Sequence, residues 1–404
     1  MEKINDLLNK ANELQKNANL DAAEEIYINI INSYPEHPDA NHNLASLYFT
    51  KKNYKKAYDF IKRVIDTKYP LQEYYITASR IFFQLEMFED CIIVLDKALA
   101  IKPEEMFPLY LKSVLYNKLG RYNEAENFGR ELLKKHSNNT VILNHFGIIL
   151  SNLEKYEESI KYFNKAININ ESYRDPFSNL GHSLHKVQKF NLSLDAYKKS
   201  LKLDPNHNQT IINYAAVYHE IGNYNEAEKL YKRSLNADSS SASVHYNYAN
   251  LLKHVRKNYQ MAEKHYRRAI QIDDNHADAL GNLANMLSDI FEKYDEADSF
   301  YRKAVRVDPK HADNLGNYAD FLADIRKDIG CATKMYKQAL EANPKHVYNL
   351  HNYSQFLLIT RHDHVAAEKL LVRGLKVDPD DTDTLSLYGM LLWEYRCGEG
   401  LQGG

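Results

Sequence analysis

Apolar and small residues recur along this chain at helical spacing, in pairs of short runs. In NYAAVYHEIGNYNEAEKLYKRSL, Tyr214, Ala215 and Tyr218 share one face of a first run, and Tyr224, Ala227, Tyr231 and Ser234 share one face of a second. Side chains three and four residues apart lie on the same side of a helix, so the segment predicts two amphipathic helices joined by a short turn. Gly120 and Gly222 fall in such turns. Pro103, Pro205, Pro309, Pro344 and Pro379 come just past a second run, where a residue without an N–H ends one helix and opens the next.

The same paired pattern repeats. YKKSLKLDPNH, YRKAVRVDPKH and YKQALEANPKH each end a unit, at His207, His311 and His346. Counted from Ile4, seven units of 34 residues run to Ser241 (4–241), and four units of 35 residues follow (242–381). The extra residue of the later units falls in the turn each time, as in KHVRKNY, DIFEKY, DIRKDI and ITRHDH. Turns absorb insertions that packed helices do not. A chain of 404 residues exceeds the ~250–300 that one hydrophobic core supports, and a repeat array resolves this.

The fold expected is therefore all-α: an α-solenoid, a right-handed superhelix of about eleven helix-turn-helix repeats (4–381) plus one terminal helix. Residues 382–396 read as a further first helix with Gly389 in its small site, either a cap or the start of another repeat. Residues 397–404 have no periodicity and read as a flexible tail; the final Leu401-Gln402-Gly403-Gly404 lacks the small β-grasp domain that diglycine modifiers ride on.

This pattern resembles the tetratricopeptide repeat (TPR) superfamily, whose pair of small residues is matched by Ala215 and Ala227, Ala284 and Ala297, and Ala319 and Ala332. Units three to five depart from it, with small sites altered at Ser79 with Cys91 and at Gly129.

In a stack of helix pairs the first helices line the inner wall, so a binding site is sought there. At the sixth place of the unit asparagine recurs: Asn9, Asn43, Asn179, Asn213, Asn247, Asn282, Asn317 and Asn352. The degenerate units break the row with Thr77, Leu111 and His145. An amide offers a donor and an acceptor together, and a row of them can pair with the backbone of an extended peptide. The competing reading is that the asparagines sit on a solvated face or bond between neighbouring helices.

The row is also similar to the asparagine ladder of the superhelical TPR region of O-linked N-acetylglucosamine transferase, on the strength of Asn282 with Asn285 in GNLANML and Asn247 with Asn250 in YNYANLL. That likeness implies a grip on peptides by Asn179, Asn213, Asn247, Asn250, Asn282, Asn285, Asn317, Asp320 and Asn352. No Gly-rich phosphate loop is present, and residues past 396 leave no room for a sugar-nucleotide domain, so no catalysis is expected. The first reading is a scaffold for extended segments of partner proteins. The alternatives are the substrate-recruiting region of a protein O-glycosyltransferase whose catalytic domain lies elsewhere, and a structural subunit of a large assembly.

Charge narrows the partner. A formal net charge of -2 supplies no basic field for a phosphate backbone, so nucleic acid is not expected. The inward-facing register of units nine and ten carries Asp278, Asp289, Asp313, Asp320 and Asp324, which favour a basic peptide partner. For Asp278 and Asp313 the plainer reading is a helix start. The clamp with which some TPR domains hold acidic heat-shock chaperone tails is matched by Asn12 and Asn43, but its cation places hold Leu8, Glu73 and Thr77, so those tails are not expected. Pairs such as Lys198-Lys199, Lys232-Arg233, Arg267-Arg268 and Arg302-Lys303 form a mildly basic outer stripe.

No cofactor or metal is expected. Cys91, Cys331 and Cys397 are odd in number and far apart, which suits a reducing compartment. His37, His207, His276, His311 and His346 each close a unit, and His362 with His364 lacks further ligands at suitable spacing. Without any long apolar run, no membrane partner is expected, and a cytoplasmic location is.

Overall fold

The computed structural model describes residues 2–67, 71–237 and 239–400, and in them the chain is helical throughout, without a strand. It divides into two compact units, Met1–Pro205 and Asn206–Gly404. The first holds α1 (Glu2–Lys16), α2 (Leu20–Ser33), α3 (Pro38–Thr50), α4 (Tyr54–Ile65), α5 (Gln72–Gln84), α6 (Phe88–Ile101), α7 (Met106–Lys118), α8 (Tyr122–Lys135), α9 (Thr140–Asn152), α10 (Tyr156–Ile169), α11 (Arg174–Lys186) and α12 (Phe190–Leu203). The second holds α13 (Asn208–Glu220), α14 (Tyr224–Ala237), α15 (Ala242–His254), α16 (Tyr259–Ile272), α17 (Ala277–Asp289), α18 (Tyr294–Val307), α19 (Ala312–Asp324), α20 (Ile329–Ala342), α21 (Val347–Ile359), α22 (His364–Val377) and α23 (Thr382–Gly400).

Odd and even helices pair as the periodicity predicts, giving an α-solenoid. Within each unit successive first helices touch, α3 with α5 and α9 with α11 in one, α17 with α19 and α19 with α21 in the other, whereas successive second helices approach less closely. The first helices therefore form the tighter, inner side of each stack. The core runs along the seam between the two rows: Tyr27, Leu44, Ile61, Phe146 and Phe163 in the first unit, Tyr231, Tyr266, Leu283 and Leu315 in the second, all essentially inaccessible.

Every one of the turns inside a helix pair passes through the left-handed region. Gly120 and Gly222 do so, and so do nine residues with a side chain: Ala18, Lys52, Glu86, Glu154, Gln188, Lys257, Glu292, Lys327 and His362. A left-handed residue just past the helix turns the chain back and satisfies its last carbonyls, as when Asn223 N–H donates to Tyr218 C=O. The 35-residue units place that residue one position later, because Val255, Ile290, Ile325 and Thr360 keep right-handed helical angles after the helix ends. The insertion costs the packing nothing, since the paired helices keep their lengths.

Several second runs are followed by a histidine that caps the next unit's first helix. His37, His207, His276, His311 and His346 each accept, through Nδ1, a backbone N–H of the first turn. An imidazole that accepts there must carry its proton on Nε2. This accounts for the histidines that close each unit, and among the described residues no group of three or more potential metal ligands occurs. Cys91 is buried and Cys331 exposed, both free thiols.

The terminal helix runs further than its periodicity suggests: α23 continues through Gly400, so Cys397–Gly400 are helical rather than tail. The tail Leu401–Gly404 lies outside the described residues, as does the side chain of Cys397. Leu387 and Leu391 of α23 pack on Leu371, while Met390 and Trp393 are exposed, and a Cβ at Gly389 would meet open space.

Candidate functional site

The sixth-place asparagines all lie on first helices, Asn9 exposed on α1 and the others half-buried: Asn43 on α3 and Asn179 on α11 in the first unit, and Asn213, Asn247, Asn282, Asn317 and Asn352 on α13 to α21 in the second. Three of them, Asn43, Asn282 and Asn352, share a hydrogen-bonding arrangement that the row alone does not announce. The amide of Asn282 donates to Asn250 Oδ1 of the preceding pair at 3.2 Å and to the Tyr246 hydroxyl at 3.3 Å. Asn250 Oδ1 also accepts the hydroxyl of Tyr266 on α16. Asn352 donates to Asp320 Oδ2 at 2.7 Å, and Asp320 Oδ1 accepts from Tyr336 on α20. Asn43 donates to Asn12 Oδ1 at 2.9 Å, which accepts from Tyr27 at 2.6 Å.

The unit of this arrangement is a tyrosine on the second helix, an acceptor at the ninth place of the first helix, and the asparagine of the next pair. Each such relay satisfies a tyrosine hydroxyl whose ring is buried, and ties neighbouring pairs together. At Asn285 only half of it forms: Tyr301 donates to Oδ1 at 2.6 Å, but Asn317 does not reach it. Among the described residues Asn247 and Asn317 make no side-chain hydrogen bond, and Asn213 accepts only from Gln209, at 3.0 Å. Asn179 donates to Asn144 Oδ1 at 3.0 Å. Asn144 sits beside His145, at the place where the row is broken in sequence, and its neighbour in register hid it.

Asp320 is strongly perturbed by its surroundings. Burial pushes its carboxyl up to about 6, against the donors Tyr336 and Asn352 that favour the ionised form, and Asp324 nearby adds repulsion. It opens on a cleft of about 240 Å³ bordered by Asp324, Asn352, Gln355, Phe356 and Ile359. Asp289 has a cation in range: it partly offsets the burial that lowers the Lys253 ammonium. Asp278 and Asp313 behave differently, accepting Nε2–H of His311 and His346 at 2.9 Å, one pair further on.

Tyr231, Tyr266, Tyr301 and Tyr336 occupy the core as their spacing implies, but Tyr214 does not; it is half-buried on α13 and its hydroxyl meets that of Tyr218 at 3.1 Å. Four of the outer cations are in ion pairs: Lys232 with Glu228, Arg267 with Glu263 and Glu296, Arg302 with Asp298, and Lys303 with Asp274. Phe83 and Phe107 are covered by Lys118 and Arg80 respectively, and Phe82 is buried.

Models of the Tetratricopeptide repeat family match residues 141–173, 175–240 and 240–310. The chain is a tetratricopeptide-repeat protein. A further model, Anaphase-promoting complex, cyclosome, subunit 3, matches residues 16–98 of this TPR chain. No curated protein matches it. Among solved structures, yeast Tom70 is similar at 14% identity and a TM-score of 0.55, covering 100% of this chain and 99% of that one. The APC/C assembly Cut9–Hcn1 is similar at 15% identity and a TM-score of 0.52, covering 87% and 75%. Human IFIT1, solved as a dimer with m7Gppp-AAAA, is similar at 15% identity and a TM-score of 0.57, covering 88% and 90%. At these identities the likenesses concern the TPR fold. No helix among the described residues is long and apolar enough to cross a membrane.

Proposed function

We propose that this TPR protein is a non-enzymatic scaffold that holds extended segments of partner proteins along its first helices, with Asn213, Asn247, Asn250, Asn282, Asn285, Asn317, Asp320 and Asn352 as the contact row of the second unit and Asn179 that of the first. The observation that carries this is the relay. Asn179 and Asn282 spend their N–H groups on the preceding pair and keep a side-chain oxygen without a partner among the described residues. A row of pre-oriented amides costs little side-chain entropy to engage, which is what a sequence-tolerant grip on a peptide backbone requires.

The carboxylates of Asp320 and Asp324 give the row a preference for basic segments, and they work against a phosphate backbone, for which the net charge of -2 offers no compensating field. The test is binding of short capped peptides, one rich in lysine and one in glutamate, to the full chain. The basic peptide is expected to bind more tightly, and Asp320→Asn to erase most of the difference. Equal binding of both peptides by the wild-type chain sinks the charge preference, and tighter binding of a triphosphate RNA than of either peptide sinks the peptide reading.

The match of residues 16–98 to a cyclosome-subunit model supports a second reading, a structural subunit of a multiprotein assembly. Stable stoichiometric co-purification that survives alanine at Asn247, Asn282, Asn317 and Asn352 distinguishes it from peptide capture.

A further inference from the structure

The first unit has a cleft of its own, about 450 Å³, walled by α1, α3 and α5. Asn9 and Asn12 enter it from α1, Asp39 and Asn43 from α3, and Glu73 from α5, over the buried side chain of Leu8. Much of its polarity is already paired. Asn12 Oδ1 takes the Tyr27 hydroxyl and the Asn43 amide, and Asp39 Oδ1 takes the Tyr74 hydroxyl at 2.7 Å.

What remains is acceptor capacity. Glu73 is exposed and has neither an ion pair nor a hydrogen bond among the described residues, and Asn9 has no side-chain partner. No lysine or arginine lines the cleft. His42, also in the wall, sits between Thr77 Oγ1 at 2.8 Å and Asn43 Oδ1 at 3.2 Å, and burial lowers its pKa, so it brings no positive charge at neutral pH. Two carboxylates, amides and an apolar floor, with no cation to balance them, are complementary to a positive head on an aliphatic stem.

We propose that this cleft is a docking pocket for a lysine or arginine side chain of a partner's extended segment, a binding site separate from the asparagine row of the second unit. Its charge is the reverse of a pocket for acidic tails: the positions where such a clamp needs cations carry Leu8 and Glu73, both facing this cavity. An acidic tail entering here would meet Asp39 and Glu73 and leave its own carboxylates unpaired.

The test uses the full chain and a short lysine-containing peptide, acetylated and amidated at its ends and carrying one photoreactive side chain, with cross-links mapped by mass spectrometry. Cross-links are expected on α1, α3 and α5. Glu73→Lys, a change at an exposed site, is expected to weaken their formation by roughly fivefold to tenfold and to let the matching glutamate peptide cross-link there instead, a gain that misfolding cannot produce. Cross-links confined to residues outside α1 to α5, or unchanged by Glu73→Lys, overturn the proposal. So does equal labelling by an alanine peptide with a free amino terminus, which would make the terminal amine the ligand. The Asn282→Ala, Asn317→Ala, Asn352→Ala variant separates the two sites: it leaves these cross-links intact even where the second unit's row proves inert.

Discussion

The two compact units use glycine on their first helices for opposite purposes. In the first, Gly147 and Gly181 make room for a ring of their own pair: a Cβ would stand 2.5 Å from Phe163 and 2.7 Å from Tyr197. In the second, Gly281 and Gly316 make room for the next pair: a Cβ would stand 1.9 Å from Asn314 Oδ1 and 2.0 Å from Asn349 Oδ1. Those asparagines are buried and donate back to Ala277 C=O at 3.0 Å and Ala312 C=O at 2.9 Å on the preceding pair. The first arrangement closes a pair upon itself, and the second fastens one pair to the next. Polar relays are likewise denser in the second unit, while in the first the matching wall positions carry buried Leu111 and His145, whose imidazole burial pushes down to about 4. The second unit is the better candidate for a continuous binding track, because its row is unbroken and two of its rungs, Asn282 and Asn352, are fastened to the pair before them.

The largest effect is expected from Gly281→Ala. It must expel Asn314 from its slot, for a loss of about 3 kcal/mol from overpacking and an orphaned buried amide. Because the contact is between pairs, urea unfolding should broaden as well as shift. Gly147→Ala should cost about 2 kcal/mol by ring displacement and shift the transition without broadening it. Identical transition widths for the two variants would break the comparison.

Asp320→Asn comes next. A carboxyl whose folded pKa of about 6 lies above its unfolded value of about 3.9 binds more protons when folded, so its ionisation costs stability as pH rises between those values. The variant should therefore be more stable than wild type by about 1–2 kcal/mol at pH 7.5, and the gain should vanish below about pH 4 in thermal melts. A gain that is flat with pH would show that Asp320 is not buried in its ionised form.

Smaller still, Tyr301→Phe should cost about 1 kcal/mol by leaving Asn285 Oδ1 without its donor, whereas Tyr231→Phe, in a unit whose ninth place holds Ala216 instead of an amide, should be near neutral in chemical denaturation. Lys257→Gly should gain up to about 1 kcal/mol by relieving a side chain at φ 54, and Gly222→Ala should lose a similar amount at φ 78.

Much of this was legible in the sequence because a 34-residue period repeats each decision many times. Helix pairs, the place of the extra residue and the sixth-place asparagines follow from spacing alone. The relays did not, because they join residues about 16 and 32 positions apart whose partnership depends on how the pairs stack. The ninth place holds Asn12, Asn250, Asn285 and Asp320, and that Asp320 fills an asparagine's role as acceptor is visible only once Tyr336 and Asn352 are seen to converge on it. The unit-closing histidines showed a rhythm without a reason until their Nδ1 atoms were found on helix N-termini. Asn144 escaped notice by standing one residue out of register.

The most direct test of the scaffold reading is capture of partners from the protein's own cell lysate by the intact chain and by a variant with alanine at Asn247, Asn282, Asn317 and Asn352, both checked for helicity by circular dichroism. Retained partners should disappear from the helical variant, which would place binding on the asparagine row. Partners that persist on it at undiminished levels would contradict the account, leaving the relays a purely structural device.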